Sequence, residues 1–329
     1  MLRAEPGVAV FWPAAGIAVG ALIALGPRVR LPVAAAVVFG TVVCNVTIGR
    51  SPRLSIVLGF LNAGQSLFTA WLLEHWFGRT FKLEDVQRVL GFFAASIAGS
   101  AIAAAGAAAA ICLYAPTASA VQVWRLWFAA SSLGIVMVAP LLIGLGDAIR
   151  QRLRHQELME GCAGLLAVGV VTTFLVSLPD GPWATALPLA LVFPFLLWIA
   201  IRCRPVFAAG AALVVGLTVI ASATLNVGFF QIDTPLANHI LAAQTFVFIE
   251  SLLVVLLAAV FAERRRGERS VKQVAERLQL ALDGAALGAF SADLATGQFV
   301  RHARRSDPGT RPISNRDQTV EAFHSAGRS

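Results

Sequence analysis

Residues 239–266 read HILAAQTFVFIESLLVVLLAAVFAERRR. Between Ile240 and Ala262 the sole charged side chain is Glu250. Crossing the hydrocarbon core takes about 20 apolar residues, and this stretch supplies them. Glu263-Arg264-Arg265-Arg266 then forms a basic stop of the kind that stays on the cytoplasmic side. The stretch decides the fold class: lipid, rather than one aqueous core, solvates most of this chain.

Working back to the N-terminus, eight more apolar runs follow the same rule. The expected spans are 9–25, 31–48, 55–77, 89–112, 122–146, 159–178, 184–201, 205–226 and 239–262. The expected fold is an all-α polytopic membrane bundle of about nine spans. Composition agrees, with 57% hydrophobic and 13% charged residues and a mean hydropathy of +0.75, against roughly 25% charged in soluble domains.

The arginines orient the bundle. Counting back from the last span, alternate connections hold Arg202 and Arg204, then Arg150, Arg152 and Arg154, then Arg79, Lys82 and Arg88, then Arg28 and Arg30. The opposite set holds only Arg3, Arg50, Arg53 and Arg125. This asymmetry puts the richer loops and the C-terminus in the cytoplasm of a bacterial inner membrane. Nine spans then place the N-terminus outside with no signal peptide, which is expected to reflect a missing upstream helix. The net charge of +8 is absorbed by these loops, so no nucleic-acid partner is expected.

Little catalytic chemistry is written in the chain. Cys44, Cys112, Cys162 and Cys203 form no CxxC and sit in or beside apolar runs, so they read as small apolar residues rather than metal ligands or disulfides. There is no GxxxxGK[ST] phosphate loop. His155, His302 and His324 lack a phosphoacceptor context. No catalytic residue, metal or cofactor is expected.

Residues 263–329 change character, with 12 of the 26 basic and 8 of the 18 acidic residues. Three segments are expected: a membrane domain at 1–262, a cytoplasmic linker helix at 263–285, and an incomplete α+β segment at 286–329. In the linker, Val271, Val274, Leu278 and Ala281 follow the spacing of a two-helix seam, which suggests a homodimer. Phe290, Ala292 and Leu294 before the Ala295-Thr296-Gly297 turn predict a β-hairpin.

The polar residues inside the spans are the candidate site. A carboxylate near mid-membrane costs roughly 2.5–3.5 kcal/mol to insert, which singles out Glu250. At about 1.5 Å of rise per residue, Glu250 and Gln65 fall at similar depth, with Asn62 nearer the outer surface. Glu250, Gln65 and Asn62 are therefore expected to cluster, with Gln65 as the partner of Glu250. Trp12, Asn45 and Arg125 form a separate outer polar layer. Pro140 and Pro194 are hinge candidates. Gly16 and Gly20 read as a packing face, and Trp71, Trp76, Trp124, Trp127 and Trp183 as interfacial anchors.

Several of these residues resemble a known family. Phe11-Trp12-Pro13-Ala14-Ala15-Gly16-Ile17-Ala18 resembles the opening signature of the bacterial membrane-associated sensor (MASE) family, first type. Asn62 and Gln65, Leu133-Gly134 with Ala139-Pro140-Leu141, and Phe193-Pro194 with Trp198-Ile199-Ala200 follow its order over about residues 8–262. Family members often carry an acid just before the Leu-Gly pair, where this chain has Ala130, Ser131 and Ser132. The tail resembles the start of a PAS domain through Arg277–Leu282, Gly288-Ala289-Phe290 and Asp293–Gly297. It is too short for a closed ligand pocket, so no flavin or haem is expected. The resemblance implies a sensor responding to a small-molecule or membrane stimulus and feeding a histidine kinase or diguanylate cyclase absent from these residues. The rival reading is a secondary transporter using Glu250.

Overall fold

The structure is a computed structural model that describes residues 3–4, 8–151, 154–177, 187–225, 236–284, 289–293 and 298–302. The chain divides into two compact units, Met1–Arg265 and Arg266–Ser329. The first opens with two short antiparallel strands, β1 (Arg3–Ala4) and β2 (Val8–Ala9). Helices follow: α1 (Pro13–Leu25), α2 (Arg30–Thr47), α3 (Pro52–Phe77), α4 (Val86–Tyr114), α5 (Ala120–Gln151), α6 (His155–Val176), α7 (Leu187–Arg202), α8 (Pro205–Leu225) and α9 (Leu236–Gly284). A 3-10 turn at Pro27–Val29 links α1 to α2. The second unit holds the remainder of α9 and a hairpin of β3 (Ala289–Asp293) and β4 (Gln298–His302), with Ala289 opposite His302.

Among the described residues, seven helices are long and apolar enough to cross a membrane, at 27–47, 52–77, 86–114, 120–151, 155–176, 205–225 and 240–281. Two expected spans come out shorter. α1 has 13 residues, about 20 Å of helix, because it starts only at Pro13. Pro13 occupies the first turn, where the missing N–H costs nothing, and residues 8 and 9 belong to β2. α7 has 16 residues. The structure thus supports a multi-pass membrane protein with seven clear spans, fewer than the nine read from apolar runs alone.

Local chemistry sets the helix ends. Ser51 Oγ accepts from Leu54 N at 3.3 Å to start α3, and Asp85 Oδ1 accepts from Arg88 N at 2.8 Å to start α4. Gly26 and Gly78 close α1 and α3 at φ of 80° and 82°, a conformation that glycine adopts without strain.

Close packing rests on small residues, since lipid gives helices no hydrophobic reason to associate. α1 lies against α5 through Gly16 and Gly20. A Cβ on Gly16 would run into the Gly134 carbonyl oxygen, and one on Gly20 would sit 2.8 Å from Leu142 Cβ. A Cβ on Gly134 would in turn strike Trp12 O. The Phe11–Ala18 stretch and the Leu133-Gly134 pair are thus the two sides of one helix–helix contact. On α4, Gly99 and Gly106 play the same part toward Thr69 and Leu61 of α3. Outward-facing side chains such as Phe39, Leu113, Leu166 and Phe174 are more than 60% exposed, as a lipid-solvated surface requires.

Ion pairs between elements tie the arginine-rich connections together. Arg30 pairs with Glu74 across α2 and α3, and Lys82 meets Asp147 of α5 at 2.6 Å. Arg88 bonds Asp85 at 3.0 Å and Lys82 also reaches Glu84 at 3.4 Å. Arg202 and Arg204 bond Glu160 and Glu157 of α6 at 3.2 and 3.1 Å. Arg150 donates to Ala24 O at 2.7 Å, and Arg265 donates to Ile201 O and Cys203 O. The loops expected to share one side of the membrane therefore meet at one end of the bundle.

Candidate functional site

Glu250 lies on the inward stripe of α9. Ile240, Ala243, Gln244, Val247, Glu250, Ser251, Val254, Val255, Ala258 and Ala259 are all buried, and they recur at the three- and four-residue spacing of one helical face. Glu250 is 8% exposed and is the one buried charged-type side chain among the described residues. Ser251 Oγ donates to its Oε2 at a long 3.5 Å, and its Oε1 has no partner among the described residues. The walls around this stripe are apolar. Phe248 meets Phe93 of α4 edge-on, with ring centres 5.6 Å apart. Met137 of α5, Gly216 of α8 and Val247 converge at one point. One turn beyond that point come Pro140 on α5 and Glu250 on α9.

A second polar layer joins α2, α3 and α4. Asn62 Nδ2 donates to Thr41 Oγ1 at 3.2 Å, and Gln65 Nε2 donates to Ser100 Oγ at 2.9 Å. Ser66 Oγ donates to Asn62 O at 3.0 Å and Asn45 Nδ2 to Thr41 O at 2.8 Å. The amide oxygens of Asn62 and Gln65 and the Thr69 hydroxyl are buried with no partner among the described residues.

The expected grouping is therefore redistributed. Asn62 and Gln65 share the α3 face as expected, but neither makes a hydrogen bond to Glu250, and Ser100 takes the place foreseen for Gln65's partner. Depth along the membrane normal fixes a residue's height, not the direction its helix face points. The outer layer separates in the same way. Arg50 Nη1 donates to Asn45 Oδ1 at 3.0 Å. The Trp12 main-chain N–H donates to Ala130 O at 3.3 Å, while its indole N–H is buried without a partner among the described residues. Arg125 is exposed.

Other residues gain or change roles. Gln244, six positions before Glu250, donates to Val10 O and so holds α9 to the N-terminal segment. It was legible as a polar residue inside a span. Ser100 was hidden in an alanine-rich run. Trp127, expected at an interface, is buried in the core, and Trp124 donates to Ala101 O at 3.2 Å and stacks on Phe128. Trp71 and Trp76 are about half exposed, and Trp183 lies outside the described residues. Pro140 and Pro194 both sit inside helices, α5 and α7. The four cysteines are free, burial pushes the Cys203 thiol up, and no metal-holding group of side chains occurs among the described residues.

An acid with one open oxygen, on an apolar helix face without a nearby cation, can hold a proton or one hydrogen-bonding ligand. Neither a curated protein nor a solved structure matches the chain. The MASE1 family model matches residues 2–265. The matched range takes in both sides of the α1–α5 contact and the whole of the first unit's helical bundle, and the chain belongs to the MASE1 family of membrane-associated sensor domains.

Proposed function

We propose that this chain is the signal-input module of a bacterial inner-membrane sensor, with its C-terminus in the cytoplasm. A stimulus in or near the bilayer biases the packing around α9, and α9 passes the change to a histidine kinase or diguanylate cyclase output. The observation that carries this reading is the continuity of α9. It is a single helix of 49 residues, buried along one stripe up to Ala262 and exposed at every position from Glu268 to Ala281. A helix with no core of its own at one end is suited to moving as a rod.

Nine crossings are part of the proposal. The 13 residues of α1 cover about 20 Å, and residues 8–12, which precede the helix, reach at most about 16 Å more, enough together for the roughly 30 Å core. α7 covers about 24 Å. Pro140 and Pro194 are the proposed bending points, and Glu250, with Asn62, Gln65, Trp12, Asn45 and Arg125, the proposed sensing residues. Val271, Val274 and Leu278 are each at least 60% exposed and form the proposed homodimer seam. β3 and β4 are the proposed opening of a PAS fold.

Residues 1–284 fused to a cyclase catalytic domain test the reading. Insertions of one to seven residues after Arg266 should make output rise and fall with helical phase and return at seven. Output that ignores the insertion length would reject transmission through α9.

A further inference from the structure

We propose that the cleft between the end of α1, the α3–α4 connection and the end of α5 binds a phosphate group. The cleft is a cavity of about 150 Å³, room for several water molecules. Arg79, Lys82 and Arg150 line it, against the single acid Asp147. Lys82 spends its charge on Asp147 at 2.6 Å and Glu84 at 3.4 Å. Its hydrogen bond to Asp147 holds the ammonium above the ordinary lysine range, so it is a cation at neutral pH. Arg150 donates one N–H to Ala24 O at 2.7 Å and keeps the rest of its five donors. Arg79 makes no hydrogen bond or ion pair among the described residues, and it is exposed at the cleft. Thr80 adds a hydroxyl donor.

Two guanidinium forks with free donors are matched to a phosphate. The position narrows the source. Leu25, 62% exposed, and Ile23 and Phe81 sit beside the cations, so the wall is apolar toward the helices and basic at the helix ends. That arrangement suits an anionic lipid headgroup with its chains running down the bundle. A soluble phosphate shares the same recognition chemistry.

The full chain in phosphatidylcholine discs is challenged with phosphatidylglycerol, read by native mass spectrometry, and separately with inorganic phosphate, read by thermal unfolding. Arg79→Ala should weaken retention of phosphatidylglycerol about fivefold, whereas Arg28→Ala, the same charge loss outside the cleft, leaves it unchanged. Asp147→Asn should tighten it. Discrimination by inorganic phosphate alone identifies a soluble source and keeps the site. If Arg79→Ala and Arg28→Ala behave alike with both probes, or if Asp147→Asn loses binding, the site is overturned.

Discussion

Replacing Gly134 or Gly16 by alanine tests the α1–α5 contact directly. A Cβ on Gly16 would approach Val138 Cβ to 2.7 Å, about 0.7 Å inside the 3.4 Å at which ordinary contact begins, besides striking the Gly134 carbonyl. At Gly134 the obstacle is the backbone of Trp12, with its carbonyl carbon at 2.8 Å. A backbone obstacle has no rotamer to yield, so α1 must move bodily. Overpacking of this kind costs about 1–3 kcal/mol, and alanine returns about 1 kcal/mol of helix propensity over glycine. Each substitution should therefore lose up to about 2 kcal/mol in denaturation from mild detergent. Gly40→Ala on α2 and Gly64→Ala on α3 are internal controls, because a Cβ there meets nothing within 4 Å, and both should be neutral or gain up to about 1 kcal/mol. If Gly16→Ala and Gly134→Ala prove as stable as the two controls, α1 does not lie against α5 as described.

Three further outcomes are open to measurement. Glu250→Leu removes a buried oxygen without a partner, a group that costs about 1–3 kcal/mol to leave unsatisfied, so the variant should denature at higher denaturant while the cyclase fusion stops responding. A fall in stability would mean that Glu250 serves to hold the helices together. The folded pKa of Lys82 lies above the ordinary 10.5, so its pairing stabilises fully below that value and is lost as the pH rises through the folded pKa. Because the side chain is 36% exposed, Lys82→Met should cost less than about 1 kcal/mol at neutral pH, and the difference from wild type should shrink in alkaline titration above 10.5. In a double-mutant cycle, Arg30→Ala and Glu74→Ala should couple by about 0.5–1 kcal/mol, falling at high salt. Strictly additive losses would show that this pair contributes nothing.

Helix positions were largely legible because apolar runs and arginine placement are one-dimensional signals. The ion pairs Arg30–Glu74, Lys82–Asp147 and Arg202–Glu160 gather the loops that the charge alternation groups together. What stayed hidden is azimuthal. Gln65 and Glu250 are expected at one depth yet have different neighbours, and Trp127 looks like an anchor by position but turns into the core. The helix begins later than the apolar run because residues 9–12 are apolar yet not helical, and apolarity alone does not mark where a helix starts. Gly16 and Leu133-Gly134 were visible as separate motifs, while their mutual contact needed three dimensions.

The ion pairs Arg30–Glu74, Lys82–Asp147, Arg202–Glu160 and Arg204–Glu157 gather at one rim of the helical bundle. Toward the other rim the named cross-links are hydrogen bonds: Trp12 N–H to Ala130 O and Gln244 to Val10 O. Rods lashed more firmly at one end splay most at the other. A small molecule wedging in from the rim held by single hydrogen bonds would thus meet the softer wall, and the tilt it imposed on any helix would be levered about the charged rim.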